Sequence, residues 1–426
     1  MSISKRPTLF AVIALLCAAA APAATIPDLA PLVAGQTAAA PELSGLAVAA
    51  IDARGRLTAR AWGAAERTAD GGIARPLQPD TPVRIASISK LAIAVAVLRL
   101  VEDGVLDLDR DVSAYLKAPL RNPLAPDVAV TLRMLLGHRS GLSDGARFSV
   151  PLGGRWQDIL AGEGASRFVA APGARFEYSN NAWAIIASAM EGATGERFDR
   201  LMTRLLFTPL RLDAGFNWSG VAGIARGGAL YRKRDAQERW GDRWIAQIDD
   251  VRPRQGCFAN IAPDAPCALD RYVPGSNGFI FSPAGGLRIG VTDLARLGAA
   301  LLRPRGKGGL LSPASLDRLF HATPTNAGLP PDDYGGLMLS YGLGMQCLAG
   351  NGRPDGDQPL APRATALCGH LGEAWGLTSG LWIDRARGTV VAYAVTGVAR
   401  DPAKYPGRRS RFQAWEEAIL GALLAR

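Results

Sequence analysis

The sequence predicts an α/β (α+β) fold: one antiparallel sheet flanked by helices, with a mainly helical region inserted between its parts. Residues 43–63, LSGLAVAAIDARGRLTARAWG, read as two strands joined by a turn at 52–55. Near the other end, GLTSGLWID (376–384), the turn RARG and TVVAYAVTG (389–397) form a second hairpin, followed by the helical FQAWEEAILGALLA (412–425). Between these ends the helical patterns prevail: TLRMLLGH (131–138), NAWAIIASAMEGATG (181–195) with Gly195 as its stop, and VTDLARLGAALLR (291–303). Strands at both ends of the chain need one sheet assembled from distant segments. The expected division is a sheet-bearing part over about 24–120 and 275–426 and a helical part over about 121–274. The chain has no internal repeat and no low-complexity segment.

With 426 residues, 48% of them hydrophobic, the chain is long enough for a large core. Its N-terminus carries Lys5 and Arg6, an apolar run from Leu9 to about Ala21, and small residues with Ala21 and Ala23 in an A-x-A pattern. This reads as a signal peptide over 1–23; as a membrane anchor the run is short, and Leu16 is too bulky for lipid attachment at Cys17. Export to the periplasm or beyond puts the remaining cysteines, Cys257, Cys267, Cys347 and Cys368, in an oxidising compartment. Four cysteines allow three connectivities; pairing of neighbours, Cys257 with Cys267 and Cys347 with Cys368, is the economical one. Their irregular spacing has no C-x-x-C pair and argues against zinc.

The formal charge of +10 is spread over scattered arginines, and the densest group, KYPGRRSR at 404–411, lacks aromatic interleaving. Nucleic acid is therefore not expected as a partner. The basic face suits at most proximity to a cell wall or membrane surface. No H-E-x-x-H and no glycine-rich phosphate loop is present, so neither a metal nor another cofactor is expected.

Chemistry is expected first in RIASISKLAIAVAVLRL, 84–100. From Leu91 to Val101 only Arg99 is polar, which marks a helix buried all round. Ser87 stands at its start, where free N–H groups and the positive end of the helix favour developing negative charge. Lys90, three residues on, shares the serine's face. Burial lowers an ammonium pKa, so Lys90 reads as a proton acceptor or as an electrostatic partner of one. Read structurally, Ser87 is no more than a helix N-cap. Downstream, EYSNNAW offers Tyr178, Ser179 and Asn180 before a helix, and CGHLGEAWG offers His370, Leu371 and Gly372 before the terminal hairpin. GLSDG (141–145) matches the nucleophile elbow G-x-S-x-G and would make Ser143 the nucleophile, but a helical pattern precedes it where a strand is required. His138 and His321 have no catalytic context and read as scaffold.

S-x-x-K, Y-S-N and H-x-G in this order resemble the serine β-lactamase and penicillin-binding superfamily, in particular the branch of class C β-lactamases, DD-peptidases, D-aminopeptidases and esterases. LLGHRSGL (135–142) and FSPAGGL (281–287) resemble scaffold segments of that branch, and the resemblance spans about 40–425. It implies an acyl-enzyme on Ser87, with Tyr178 as general base in the phenolate form stabilised by Lys90, and Lys90 itself as the rival base. Asn180 would hydrogen-bond Lys90 or the substrate amide. His370 would donate to the substrate or relay a proton to the leaving group. The strand of Gly372 would place the Glu373 N–H beside that of Ser87 as an oxyanion hole.

The expected function is that of an exported serine hydrolase acting on an amide or ester of a small molecule or peptide. The alternative is a non-catalytic binder of penicillin or cell-wall peptide in the same cleft. Relatives that recognise a carboxylate carry small hydroxyl residues at the positions of Leu371 and Glu373. Leucine offers no hydrogen bond and a glutamate repels an anion, so neutral esters, or amides with a neutral or cationic group, are the expected substrates.

Overall fold

The computed structural model describes residues 25–145, 149–160, 164–252, 269–348, 356–360 and 366–424. The expected signal peptide, and Cys257 with Cys267, lie outside them.

Both expected hairpins are present and they meet. Strands β1 (Gly45–Ile51) and β2 (Leu57–Arg67) form the first. Three strands, β3 (Cys368–Ala374), β4 (Leu377–Asp384) and β5 (Thr389–Val395), form a meander near the other end. β1 pairs antiparallel with β5, Val48 opposite Tyr393, so the two ends of the chain share one sheet. The sheet has nine strands among the described residues, with β2-β1-β5-β4-β3 as its centre and short strands at both edges.

Alternation along these strands builds two cores. Ala47, Ala49 and Ile51 of β1, with Leu381, Ile383 and Ala392, face one cluster; Leu46, Val48, Trp382, Val391 and Tyr393 face the other. The first is covered by helix α1 (Ile88–Glu102) and by α3 (Val291–Ala300), while α2 (Asn181–Thr194) extends the same core into the inserted region. On the second face packs α4 (Ala414–Leu424), where the Trp415 indole donates to Thr378 Oγ1 at 2.9 Å and the Tyr393 hydroxyl donates to Glu416 at 2.6 Å. Burial of α1 follows from its composition, since every residue from Ile88 to Leu98 is buried. A helix without a polar stripe has no face to give to water.

The inserted region departs from the mainly helical expectation. It contains strands at Ala214–Phe216, Leu230–Arg234 and Trp240–Ile248. The hairpin of the last two was hidden because LYRKR carries a run of basic residues where half-buried strands show apolar alternation. TLRMLLGH forms a helix only over Leu132–Leu136; Thr131 caps it by accepting the Met134 N–H, and His138 has already turned left-handed with φ 55°.

Cys347 and Cys368 are directly opposite each other on neighbouring antiparallel strands and form a disulfide, with Cα atoms 4.1 Å apart. The bond closes a loop of sequence separation 21 and stands two residues before His370. In the chain-entropy treatment such a loop contributes about 3 kcal/mol. The Cys347→Ser/Cys368→Ser variant should therefore show a lower denaturant midpoint and reduced activity; an unchanged midpoint would show that the bond adds nothing to the fold.

Candidate active site

The chain enters α1 through strand Val83–Arg84, then Ile85 and Ala86, the latter left-handed with φ 47°. For a residue with a Cβ this conformation is costly, and it is held by its surroundings. Ser379 of β4 donates to the Ile85 carbonyl at 3.0 Å. Across from Ser379, Gly372 lets the same carbonyl approach, since a Cβ there would stand 2.3 Å from the Ile85 oxygen. Glycine in the H-x-G motif is thus required by close packing of β3 against the serine-bearing turn. Ser87 follows at the start of α1, half-buried between the buried Ala86 and Ile88.

Lys90 is fully buried and its Nζ has three partners: Ser87 Oγ at 2.9 Å, Asn180 Oδ1 at 2.8 Å and the Ala284 carbonyl at 2.9 Å. Burial pushes its pKa down to about 7, against the opposing pull of Asp144. Tyr178 is buried beside Ser87 and lies under the Lys90 ammonium, 4.9 Å from its ring centroid. Desolvation raises its phenol pKa well above the ordinary value, with Tyr334 adding to the rise. Ser87, Lys90, Tyr178 and Asn180 are therefore in one place, as the spacing of their motifs suggested.

His370 is close to this group but is closed off from solvent. It is fully buried, with Nδ1 2.5 Å from the Leu371 carbonyl and Nε2 2.9 Å from the Tyr341 hydroxyl. The carbonyl can only accept, so Nδ1 carries the proton and Nε2 accepts from Tyr341. Burial and the nearby Lys90 lower its pKa to about 3, which keeps the ring neutral. Leu371 belongs to the apolar cluster that includes Phe412 and Trp415. Glu373 reaches solvent, yet desolvation raises its carboxyl pKa. The short strand Gln346–Cys347 pairs with β3 only at Cys368 and Gly369, which leaves the outer edge of β3 from His370 to Ala374 unpaired among the described residues.

Several supports were invisible to motif reading. His138, expected as scaffold, accepts the Ser179 N–H on Nδ1 at 3.0 Å and stacks on Tyr178 with ring centroids 4.4 Å apart. FSPAGGL supplies the Ala284 carbonyl to Lys90. GLSDG supplies Asp144: its Oδ2 accepts from Asn180 Nδ2 at 2.8 Å, and its Oδ1 accepts from Ser179 Oγ at 3.0 Å and from the Asn181 N–H at 2.9 Å. Ser143 itself lies in irregular chain, its N–H bonded to the Arg167 carbonyl, without the strand-to-helix turn of a nucleophile elbow.

A sheet covered by helices on both faces, with a serine and a lysine at the first turn of its buried central helix, defines the class of β-lactamase and transpeptidase folds. The chain belongs to the Beta-lactamase family, whose sequence pattern it matches over residues 33–414. Among curated relatives it is similar to the esterase EstB of Burkholderia gladioli, 35% identical over 175 residues that make up 37% of this chain and 43% of that one. It is also similar to the D-alanyl-D-alanine-carboxypeptidase/endopeptidase AmpH of Escherichia coli K12, 30% identical over 39% of this chain and 43% of that protein. The matched segments thus span less than half the length of these relatives. Among solved structures, the D-amino acid amidase of Ochrobactrum anthropi SV3 superposes with a TM-score of 0.62 at 20% identity, covering 90% of this chain and 93% of that one. The octameric penicillin-binding protein homologue of Pyrococcus abyssi gives 0.62 at 18% identity, covering 90% and 74%.

Proposed function

We propose that the protein is a serine hydrolase that cleaves esters or amides through an acyl-enzyme on Ser87, with Lys90 as the base. The observation that carries this reading is the placement of the Lys90 amine. Asn180 Oδ1 and the Ala284 carbonyl are acceptors only, and they take two of its N–H bonds. A neutral amine held by these two has its electron pair directed at Ser87 Oγ, 2.9 Å away. The low pKa of Lys90 supplies that neutral form near pH 7, while the raised pKa of Tyr178 disfavours the phenolate expected from the motif.

In the first step Lys90 takes the Ser87 proton as Oγ bonds to the substrate carbonyl carbon. Negative charge passes to the carbonyl oxygen, between the N–H groups of Ser87 and Glu373; removing one such donor commonly costs about 100- to 1,000-fold in rate. Collapse breaks the bond to the leaving group, which takes the proton held on Lys90 beside Ser87 Oγ, with the Tyr178 hydroxyl hydrogen-bonded to the departing atom. Water then attacks the ester carbonyl carbon as Lys90 takes its proton; the acyl–Oγ bond breaks and Lys90 returns that proton to Ser87 Oγ. His370, neutral and closed off from solvent, serves as a positioning residue that ties β3 to Tyr341. A non-catalytic binder would have no use for a lysine desolvated in this way.

The cleft favours substrates without a carboxylate. Tyr334 packs edge-on against Tyr178, and its pKa is pushed up to about 12 by burial and by Asp144, Asp332 and Glu373. Three carboxylates, Asp144, Asp332 and Glu373, thus act on Tyr334. Esters and amides with a neutral or cationic group are the proposed substrates. A panel of nitrocefin, a peptide ending in D-Ala-D-Ala, a short-chain nitrophenyl ester and a D-amino-acid amide tests this: kcat/KM should be highest for the ester and the amide. Efficient cleavage of nitrocefin or the peptide with the other two poor would overturn it.

Export is part of the proposal. The Cys347–Cys368 disulfide suits an oxidising compartment, in keeping with the leader expected over 1–23. No helix among the described residues is long and apolar enough to cross a membrane.

A further inference from the structure

The Asn180 amide has two ends, and the chemistry depends on which end faces Lys90. With its oxygen toward Nζ, the lysine has an acceptor for an N–H; with its NH₂ there, two donors would meet. Nothing in Y-S-N itself makes that choice.

We infer that Asp144 is a positioning residue for this reaction: its carboxylate takes the Asn180 NH₂ and thereby fixes the amide oxygen on Lys90, keeping the amine's electron pair on Ser87. The contacts are Asp144 Oδ2 to Asn180 Nδ2 at 2.8 Å and Asn180 Oδ1 to Lys90 Nζ at 2.8 Å. A carboxylate is acceptor-only, so the amide has one favourable orientation. The carboxylate cannot swing away, because its other oxygen holds Ser179 Oγ at 3.0 Å and the Asn181 N–H at 2.9 Å, and the Asp144 carbonyl accepts from Asn181 Nδ2 at 2.7 Å. Residue 144 thus clamps the first turn of α2 and sets the tautomer-like choice of its amide.

Asp144 also acts on Lys90 through charge. The groups facing the amine are Ser87, Asn180, the Ala284 carbonyl, the Tyr178 ring, and the His138 and His370 rings; burial lowers the amine's proton affinity and Asp144 raises it. Both histidines stay neutral through burial. Asp144 is thus the charged partner that raises the lysine's proton affinity. Removing its charge lowers the lysine pKa, and the pH at which the base becomes protonated moves down with it.

This inference rests on Lys90 as the base, and the pH profile of kcat/KM for a neutral ester separates the two. The wild type should show an acid limb near the Lys90 pKa of about 7. In Asp144→Asn the limb should shift to lower pH by at least about half a unit, and the plateau should fall about 10- to 100-fold as the amide turns. In Asp144→Asn/Asn180→Asp, position 144 donates and position 180 accepts from both sides. The plateau should recover at least about 10-fold over Asp144→Asn, and the limb should rise above that of the wild type, since a carboxylate now touches Lys90. A wild-type profile without an acid limb would remove Lys90 as base. A limb present in the wild type but unmoved in Asp144→Asn would overturn the role of Asp144, even if the plateau fell. Should Asp144→Asn not fold, a double variant whose limb stays at or below the wild-type position would overturn it alone.

Discussion

Ser87→Ala should abolish turnover of every substrate while the protein keeps its fold, whereas Ser143→Ala should stay near wild type. The effect is expected to be complete because no other hydroxyl among the described residues has the Ser87 surroundings: a helix start, a lysine amine at 2.9 Å and a buried tyrosine beside it. Removing Oγ takes from Lys90 one of its three partners but leaves Asn180 and the Ala284 carbonyl, so the loss in stability should be near 1 kcal/mol. A steady-state assay with a nitrophenyl ester and a thermal melt of each variant check this. Residual activity in Ser87→Ala above the rate of the uncatalysed ester, or loss of activity in Ser143→Ala with the fold intact, would move the nucleophile elsewhere.

The second large effect belongs to Lys90. Lys90→Ala should lower kcat/KM by about 100- to 10,000-fold, the range of a general base. Since the base works deprotonated, wild-type activity should rise with pH through about 7 and level off above it, and the variant should lose that rise. Tyr178→Phe should cost less on an ester with a good leaving group, which needs no proton, than on an amide, which does. Equal losses on both would return the base to Tyr178. A wild-type profile that falls from pH 6 to 8 has the wrong sign for a lysine base and would contradict the assignment.

Much of the fold was legible because the informative segments lie where pattern and burial agree. The hairpin at 43–63, the hairpin at 376–397 and the apolar helix from Leu91 each show their period in the sequence. The first two motifs likewise mark Ser87, Lys90, Tyr178 and Asn180, because a short spacing on one helix or turn fixes which side chains share a face. What escaped was long-range. Asp144 meets Asn180 across 36 positions and Ala284 meets Lys90 across 194, and neither has a local signature. His370 is on the expected strand, but its burial depends on which face of β3 the sheet covers, a matter of register with β4. The hairpin near Leu230 failed for a different reason: its consecutive basic residues are half-buried through ion pairs and tryptophan rings, so it lacks the apolar alternation that betrays a half-buried strand.

The central claim, covalent catalysis on Ser87, has one direct test. The protein is mixed with excess nitrophenyl ester, quenched in acid during turnover, digested, and mapped by mass spectrometry. The acyl mass is expected on the peptide containing Ser87, formed at a rate no slower than turnover. Turnover with no adduct on that peptide, or an adduct on the peptide containing Ser143, would contradict it.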